Sequence, residues 1–264
     1  MAQHIARSVR DALLRGTWVI DLDGVVWLAG VPIPGSGEAV NRLKDAGIGV
    51  LFATNNAEPT REELLGRLVH AGIRVEVDDL VSSAQAAAAM LAPGSTALAY
   101  AGPGVPQALA ERAVDIVREA PADAVVIGWA RQFDFDLLSD AMAAVRGGAR
   151  LIGTNEDPTH PTPDRLLPGT GALLAAVATA SERVPEVAGK PHRAMMELIK
   201  ARATDISVVV GDRPTTDGVL AKQLDVPYAL VLSGVTSTDA VIGGSSPDLQ
   251  HGNLAELVTA VLDG

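Results

Sequence analysis

Two carboxylates separated by one residue offer the first chemistry in this chain. Asp21 and Asp23 follow the apolar residues Val19 and Ile20, and Gly24 comes directly after them. Residues i and i+2 of a strand point to the same side, so both carboxylates should lie together where a buried strand ends. Two such negative charges repel each other unless a cation lies between them, and Mg²⁺ prefers oxygen ligands. The pair is therefore a candidate metal and acid–base site, with a solvated turn as the alternative for these residues alone.

Polar residues also follow two other apolar runs. The second run ends in Thr54, Asn55 and Asn56, and the third ends in Asp212. A hydroxyl and the backbone N–H groups after a strand can hold an anion. In isolation an ordinary turn explains the same residues, so only their combination with the other polar strand ends indicates a functional site.

Asp217 and Lys190 complete this set of chemically capable residues. Asp217 falls where a helix is expected to begin, which makes it a candidate N-cap as well as a candidate ligand. Lys190 lies in a loop before a helix, where a lysine is usually just solvated. Beside several carboxylates it would balance their charge and contact an anionic substrate.

Alternating apolar runs and helical patterns predict the elements that position these residues. The predicted strands are 17–22, 48–56, 96–101, 113–117, 124–129, 150–155, 206–212 and 228–232. The predicted helices are 5–15, 38–46, 60–71, 81–91, 106–112, 135–146, 171–181, 192–203, 217–224 and 254–262. Such alternation is typical of an α/β protein with a parallel sheet, whose ligands bind beyond the carboxyl ends of the strands. Residues 93–187 look like an insertion into this pattern.

Composition excludes several classes of function. The formal net charge of −11 argues against a nucleic-acid or membrane-surface partner. The chain contains no cysteine, so disulfides, thiolate metal sites and cysteine nucleophiles are absent. No apolar run has the length of a membrane span, and no signal-peptide core precedes the first strand. A cytoplasmic protein is the expectation.

The combined motifs resemble those of the haloacid dehalogenase (HAD) superfamily. Four motifs carry the resemblance: Asp21-Leu-Asp-Gly24, Thr54, Lys190, and Gly211-Asp212 with Asp217. The chain is most similar to class IIA, the branch of NagD-type, 4-nitrophenylphosphatase-like and glycerol- or pyridoxal-phosphate phosphatases. The longer matching stretches are Asp21–Trp27, Thr54–Asn56, Thr154–Pro161, Pro168–Gly171, Gly189–Pro191, and Gly211–Arg213 with Thr216–Asp217. The resemblance covers the chain from about Thr17 to Leu262.

The resemblance implies a fold and a domain division. It implies a Rossmann-like parallel-sheet core, formed by residues 1–92 and 188–264. Residues 93–187 would form an inserted α/β cap domain of the C2 type. Ala130 stands where many relatives carry an acid in the cap, and Gly218 replaces a larger aliphatic residue.

The resemblance also implies a phosphatase that works through an aspartyl-phosphate. Asp21 would be the nucleophile, and Asp23 would protonate the leaving group and later deprotonate water. Thr54, the Asn55 amide and Lys190 would hold the phosphoryl oxygens.

The same resemblance implies Mg²⁺ as the cofactor. Its ligands would be Asp21, Asp23 through its backbone carbonyl, and Asp212. Asp217 would bind through water or support the other ligands.

Substrate contacts are expected from the polar residues near the second motif and from the cap loop. The candidates are Asn55, Asn56, Asn155, Glu156, Asp157 and His160. A small phosphorylated metabolite is expected, with glycerol phosphate or a similar polyol or sugar phosphate favoured. Phosphoglycolate, pyridoxal phosphate and nucleotides stay open, and no role is assigned to His192 or Arg213.

Two other functions stay open alongside the phosphatase. A phosphotransferase or mutase would use the same aspartyl-phosphate, and a binding module would hold the phosphometabolite without turnover. Relatives often dimerise through the cap, so a homodimer is a further expectation.

Overall fold

The computed structural model describes residues 7–162, 165–234 and 244–264 of the chain. The strands are β1 Thr17–Ile20, β2 Trp27–Leu28, β3 Val31–Pro32, β4 Gly49–Thr54, β5 Leu80–Ser82, β6 Thr96–Tyr100, β7 Asp115–Ile116, β8 Ala124–Ile127, β9 Arg150–Gly153, β10 Thr159–Pro161, β11 Leu166–Pro168, β12 Glu186–Val187, β13 Ile206–Gly211, β14 Tyr228–Val231 and β15 Leu249–His251. The helices are α1 Arg7–Leu13, α2 Ser36–Asp45, α3 Arg61–His70, α4 Ser83–Ala89, α5 Gly104–Glu111, α6 Phe135–Arg146, α7 Thr170–Ser181, α8 Arg193–Arg202, α9 Val219–Leu224 and α10 Leu254–Leu262. Among these described helices, none is both long enough and apolar enough to cross a bilayer.

The chain forms two compact units. The core unit comprises the described residues within 7–54, 62–81 and 199–264, and the inserted unit comprises those within 55–61 and 82–198. These units are groups of mutually contacting residues, and they differ from the predicted domains at residues 55–61, 82–92 and 188–198. The domain boundaries at 92/93 and 187/188 stay a prediction.

The core unit is built on one sheet with the strand order β15-β14-β13-β1-β4-β5. β1 runs parallel to both of its neighbours, with Ile20 opposite Val210 of β13 and Phe52 of β4. β13, β14 and β15 are also parallel to one another. This register brings the carboxyl ends of β1, β4 and β13 to one edge of the sheet. The predicted α/β fold with a parallel sheet is confirmed.

Apolar strands and amphipathic helices share one hydrophobic cluster in the core unit. Trp18, Ile20 and Phe52 on the strands are fully buried, as are Leu43 of α2 and Leu257 of α10. A strand buried on both faces needs a continuous apolar run, which explains the sequences of β1, β4 and β13. The burial of these side chains is the main stabilising contribution to the sheet.

The inserted unit has its own parallel sheet, with the strand order β12-β9-β8-β6-β7. All the neighbouring pairs in this sheet are parallel. Its separate hydrophobic cluster joins Val125 and Ile127 of β8 to Val145 of α6 and Val177 of α7. A short antiparallel hairpin, β10 with β11, follows β9 in the chain.

Several predicted elements differ from the structure in their bounds or their type. The helix predicted over 81–91 begins only at Ser83, because Ser82 closes a strand and its hydroxyl accepts the Gln85 N–H as an N-cap. The predicted loop before residue 168 contains the β10–β11 hairpin. Sequence analysis also missed β2, β3, β12 and β15, which are only two or three residues long. Strands this short carry too little periodicity to be recognised from sequence.

Replacing Phe52 with alanine tests the packing of the core sheet. Phe52 is fully buried in β4, and the change should lower the free energy of unfolding by about 3–5 kcal/mol. Val69→Ala on α3 is the control, because Val69 is 62% exposed and should change stability by less than about 0.5 kcal/mol. Denaturant unfolding measures both variants, and equal losses would contradict the assigned core.

Candidate active site

Three polar residues lie at the carboxyl edge of the core sheet. Asp21 directly follows β1, and its N–H donates to the carbonyl oxygen of Val210 at 2.9 Å. Asp212 directly follows β13, and Thr54 is the last residue of β4. All three side chains belong to buried residues. The parallel register therefore gathers the polar ends of three apolar strands, as the sequence predicts.

Asp21, Asp212 and Asp217 form a compact carboxylate cluster. One oxygen from each carboxylate lies within 4.8 Å of the others, and all three residues are buried. Two ionised carboxylates at this separation repel each other by about 3.5 kcal/mol at an effective dielectric constant near 20. A divalent cation would remove that repulsion, and oxygen ligands are those that Mg²⁺ prefers. The cluster could hold such an ion.

Asp217 reaches the cluster from a π-helical turn. This turn spans Pro214–Gly218 and precedes α9. The backbone N–H of Arg213 donates to Asp217 Oδ2 at 3.2 Å, and the Thr216 hydroxyl donates to the same oxygen at 3.4 Å. Asp217 therefore lies inside a helical turn, and the candidate N-cap role is wrong because Gly218 occupies that position. Turns of this kind are frequent at functional sites.

Gly24 allows the turn after β1 to approach Asp212 closely. Its φ of +87° lies in the left-handed region, which favours glycine. A Cβ atom at this position would come within 2.5 Å of Asp212 Oδ2. Only glycine satisfies both conditions, so the sequence Asp-x-Asp-Gly has a steric basis here.

Asp23 is held separately from the carboxylate cluster. The indole Nε1–H of Trp27 donates to Asp23 Oδ1 at 3.0 Å. Asp23 is partly exposed, whereas Trp27 is buried. The sequence includes Trp27 in a stretch that matches the family, but it gives no indication that this side chain contacts Asp23.

Tyr228 of β14 lies next to the same charges. Burial raises the pKa of its hydroxyl, and the negative charges of Asp217, Asp212 and Asp21 raise this pKa further. The hydroxyl donates to the carbonyl oxygen of Gly211 at 3.4 Å and stays protonated. Tyr228 therefore adds no charge to the cluster.

Within the inserted unit, Asn55 fixes the backbone of Lys190. The Lys190 N–H donates to Asn55 Oδ1 at 2.7 Å, and Asn55 Nδ2 donates to the Lys190 carbonyl oxygen at 3.1 Å. A Cβ atom on Gly189 would come within 2.6 Å of Asn55 Oδ1, so this approach requires glycine. The Asn55 side chain therefore positions the loop that carries Lys190.

Two other predicted substrate residues also bind backbone groups. Asn155 Nδ2 donates to the Asn55 carbonyl oxygen at 2.8 Å, and Asn155 Oδ1 accepts the Asp157 N–H at 3.1 Å. Asn56 Oδ1 accepts the Glu58 N–H at 3.1 Å. These bonds give Asn155 and Asn56 structural roles, and their predicted contacts with substrate stay a prediction.

The remaining predicted substrate residues, Glu156, Asp157 and His160, are more exposed than Asn155. Glu156 Oε1 lies 2.9 Å from Nε2 of His192. The ring of His160 lies against Trp129, with the ring centroids 4.5 Å apart and the planes inclined by 32°. In the sequence Trp129 only ends an apolar strand, so its contact with His160 could not be predicted.

Comparison with known proteins then identifies the family. Residues 18–115 match a family model described as haloacid dehalogenase-like hydrolase, and residues 187–257 match one described as HAD-hydrolase-like. The structure superimposes on a p-nitrophenyl phosphatase from Archaeoglobus fulgidus with a TM-score of 0.86 and 31% identity, covering 93% of this chain and 98% of the other.

The chain is a haloacid dehalogenase-like hydrolase. The sequence of this hydrolase is also 38% identical to a D-glycerol 3-phosphate phosphatase from Mycobacterium tuberculosis over 84% of its length. It spans only 65% of that relative. A glycerol phosphate phosphatase from the same organism, solved in complex with magnesium, gives a TM-score of 0.85 at 33% identity, covering 93% of this chain and 77% of the other. The predicted family and its phosphatase class are confirmed.

Thermal unfolding with and without Mg²⁺ tests whether the hydrolase holds a cation at its carboxylate cluster. Binding to the folded state alone should stabilise the wild type by about 2.7 kcal/mol at a Mg²⁺ concentration one hundred times Kd. Asp212→Asn should remove this stabilisation because it removes one negative ligand.

Asp11→Asn is the matched control, because Asp11 is an exposed residue of α1. It should retain the full response to Mg²⁺. A response of Asp212→Asn equal to that of the control would contradict cation binding at the cluster.

Proposed function

We propose that this phosphatase hydrolyses small phosphomonoesters with the help of Mg²⁺. The observation that carries the proposal is the buried cluster of Asp21, Asp212 and Asp217, with Asp23 two residues from Asp21. A buried cluster of like charges needs a cation, and the next acid in the sequence remains for proton transfer. Glycerol phosphate or a similar polyol or sugar phosphate is the favoured substrate class, because a relative and a structural neighbour carry glycerol phosphate in their names.

The donor set fits magnesium. Asp21 and Asp212 would hold the ion with the backbone carbonyl of Asp23, and Asp217 would bind through water or support the other ligands. The bound ion would supply positive charge that offsets the carboxylates and polarises a phosphoryl oxygen. Calcium or manganese would suit the same oxygen atoms, so the identity of the metal is part of the proposal.

In the first step, a carboxylate oxygen of Asp21 forms a bond to phosphorus. The bond between phosphorus and the ester oxygen breaks, and its electron pair leaves with the alkoxide. Asp23, protonated at this stage, transfers its proton to that alkoxide and becomes a carboxylate. The products of this step are the free alcohol and an aspartyl-phosphate on Asp21.

In the second step, water hydrolyses the aspartyl-phosphate. Asp23 takes a proton from the attacking water, whose oxygen bonds to phosphorus as the bond to Asp21 breaks. Inorganic phosphate leaves, while Asp21 returns to a carboxylate and Asp23 to its protonated form. Thr54, the Asn55 N–H and Lys190 would hold the phosphoryl oxygens through both steps.

We assign recognition of the leaving group to three polar residues of the inserted unit. Glu156, Asp157 and His160 offer acceptors and donors suited to hydroxyl groups, and they complement a short polyol better than an apolar alcohol. Asn155 and Asn56 would act by fixing the backbone around them, because their side chains already bind backbone groups.

Three further expectations belong to the proposal. A small phosphorylated metabolite would be the partner, with no nucleic acid or membrane involved. A homodimer through the inserted domain and a cytoplasmic location also stay predictions. Light scattering of the purified protein tests the homodimer, and cell fractionation tests the cytoplasmic location.

Asp21→Asn tests the assigned nucleophile. The change keeps the shape of the side chain but removes the carboxylate, so kcat with 4-nitrophenyl phosphate and Mg²⁺ should fall by about 10⁴-fold or more. Asp11→Asn should retain wild-type kcat. Undiminished turnover by Asp21→Asn, with unchanged thermal unfolding, would rule out the aspartyl-phosphate on this residue.

A panel of phosphorylated metabolites tests the substrate class. Glycerol phosphate and related polyol or sugar phosphates should give the highest kcat/KM, with free phosphate as the product. An isomerised sugar phosphate without net phosphate release would indicate a mutase instead. Ligand binding without any product in the presence of Mg²⁺ would indicate a binding module.

A further inference from the structure

We propose that Trp27 is a positioning residue that orients the carboxyl group of Asp23 for proton transfer to the leaving group. This inference rests on the proposed function. Its basis is the bond from the indole Nε1–H to Asp23 Oδ1, at 3.0 Å. This contact joins a rigid donor directly to the assigned acid.

The backbone of the turn fixes Trp27 relative to Asp23. The Trp27 N–H donates to the Leu22 carbonyl oxygen at 3.2 Å, and the Gly24 N–H donates to the Trp27 carbonyl oxygen at 2.6 Å. Trp27 also pairs with Pro32 across the β2–β3 hairpin. These bonds tie residues on both sides of Asp23 to the tryptophan, so the spacing between the two side chains is set by the turn.

Packing then fixes the direction of the indole ring. Trp27 is 3% exposed and belongs to the hydrophobic cluster of the core sheet, whereas Asp23 is partly exposed. A packed tryptophan loses its rotamer freedom when the protein folds. Its N–H can therefore hold the partly exposed carboxyl group of Asp23 in one orientation without a further entropic cost during turnover.

The bond selects which oxygen of Asp23 carries the proton. In a neutral carboxyl group, the carbonyl oxygen is the better acceptor of an N–H, and the hydroxyl lies on the other oxygen. With the indole N–H at Oδ1, the proton of the proposed acid would be carried by Oδ2. When the P–O ester bond breaks, this proton passes to the leaving oxygen and Asp23 is left as a carboxylate.

Proton transfer matters more for a poor leaving group than for a good one. A glycerol alkoxide is strongly basic and needs the proton as the P–O bond breaks, whereas 4-nitrophenolate is stable without it. Loss of the Trp27 contact should therefore slow the cleavage of alkyl esters selectively. A general loss of structure would slow both classes of ester equally.

Trp27→Phe separates these cases through kcat/KM for glycerol 3-phosphate and for 4-nitrophenyl phosphate, each measured with Mg²⁺. This parameter reports the step in which the leaving group departs. We expect a fall of about tenfold or more for glycerol 3-phosphate and less than about threefold for 4-nitrophenyl phosphate. The ratio of the two values is independent of the fraction of folded enzyme, so partial unfolding does not obscure it.

Trp18→Phe is the matched control. Trp18 is buried in the same cluster, and its indole N–H donates to the carbonyl oxygen of Leu13 at 2.8 Å instead of to a carboxylate. The ratio of kcat/KM for glycerol 3-phosphate to kcat/KM for 4-nitrophenyl phosphate should be the same in Trp18→Phe as in the wild type. Trp27→Leu also lacks the donor and should reproduce the ratio found for Trp27→Phe.

The outcomes distinguish this inference from the proposed function. If Trp27→Phe lowers kcat/KM equally for both esters, or lowers it for neither, the ratio of the two values is unchanged. That result would overturn the positioning role but not hydrolysis by the wild type. A changed ratio in Trp18→Phe would overturn it as well. A wild type that releases phosphate from neither ester would overturn the proposed function and this inference with it.

Discussion

The mutual repulsion of three buried carboxylates is the constraint on which the core unit depends. Asp21, Asp212 and Asp217 have oxygens within 4.8 Å of one another, in a place that water does not screen well. Hydrophobic burial of the parallel strands supplies the free energy that forces them together. Two of these residues directly follow β1 and β13, so any change in strand register would separate them. When ionised, these carboxylates would repel one another at this edge of the sheet, and a bound cation would offset the repulsion.

In the inserted unit, the main constraint is to fix the backbone of Lys190, whose side chain is long and flexible. A free lysine side chain has many rotamers, and its ammonium group is a poor anchor unless its backbone is fixed. The two hydrogen bonds between Asn55 and the Lys190 backbone supply that anchor, and Asn155 in turn binds the Asn55 carbonyl oxygen. The polar side chains of Asn55 and Asn155 thus form hydrogen bonds with backbone groups. Polar residues that resemble substrate ligands in a sequence can instead support the backbone of another candidate residue, here Lys190.

The sequence predicted those features that follow from local pattern and parallel-sheet geometry. The apolar strands before Asp21 and Asp212 were recognisable, and parallel pairing then required their ends to meet. Hydrogen bonds between residues far apart in the sequence, such as Asn55 with Lys190, had no local pattern. The π-helical turn around Asp217 was missed because proline and glycine at its ends indicate only a turn. Short strands such as β15 were missed because three residues cannot establish a period of two.

The roles proposed for the two aspartates of the first motif place opposite physical requirements on them, although one residue separates them. A nucleophile gains from burial among ligands that fix its direction, and Asp21 is buried within the carboxylate cluster. An acid that gives up and regains a proton in each turnover needs access to water, and Asp23 is partly exposed. Exposure alone would leave its carboxyl group free to rotate, which weakens general acid catalysis. The hydrogen bond from buried Trp27 would hold the Asp23 carboxyl group in one orientation and still leave it accessible to water. In the proposed mechanism, the functional unit therefore extends beyond Asp-x-Asp-Gly to Trp27, whose indole N–H contacts Asp23.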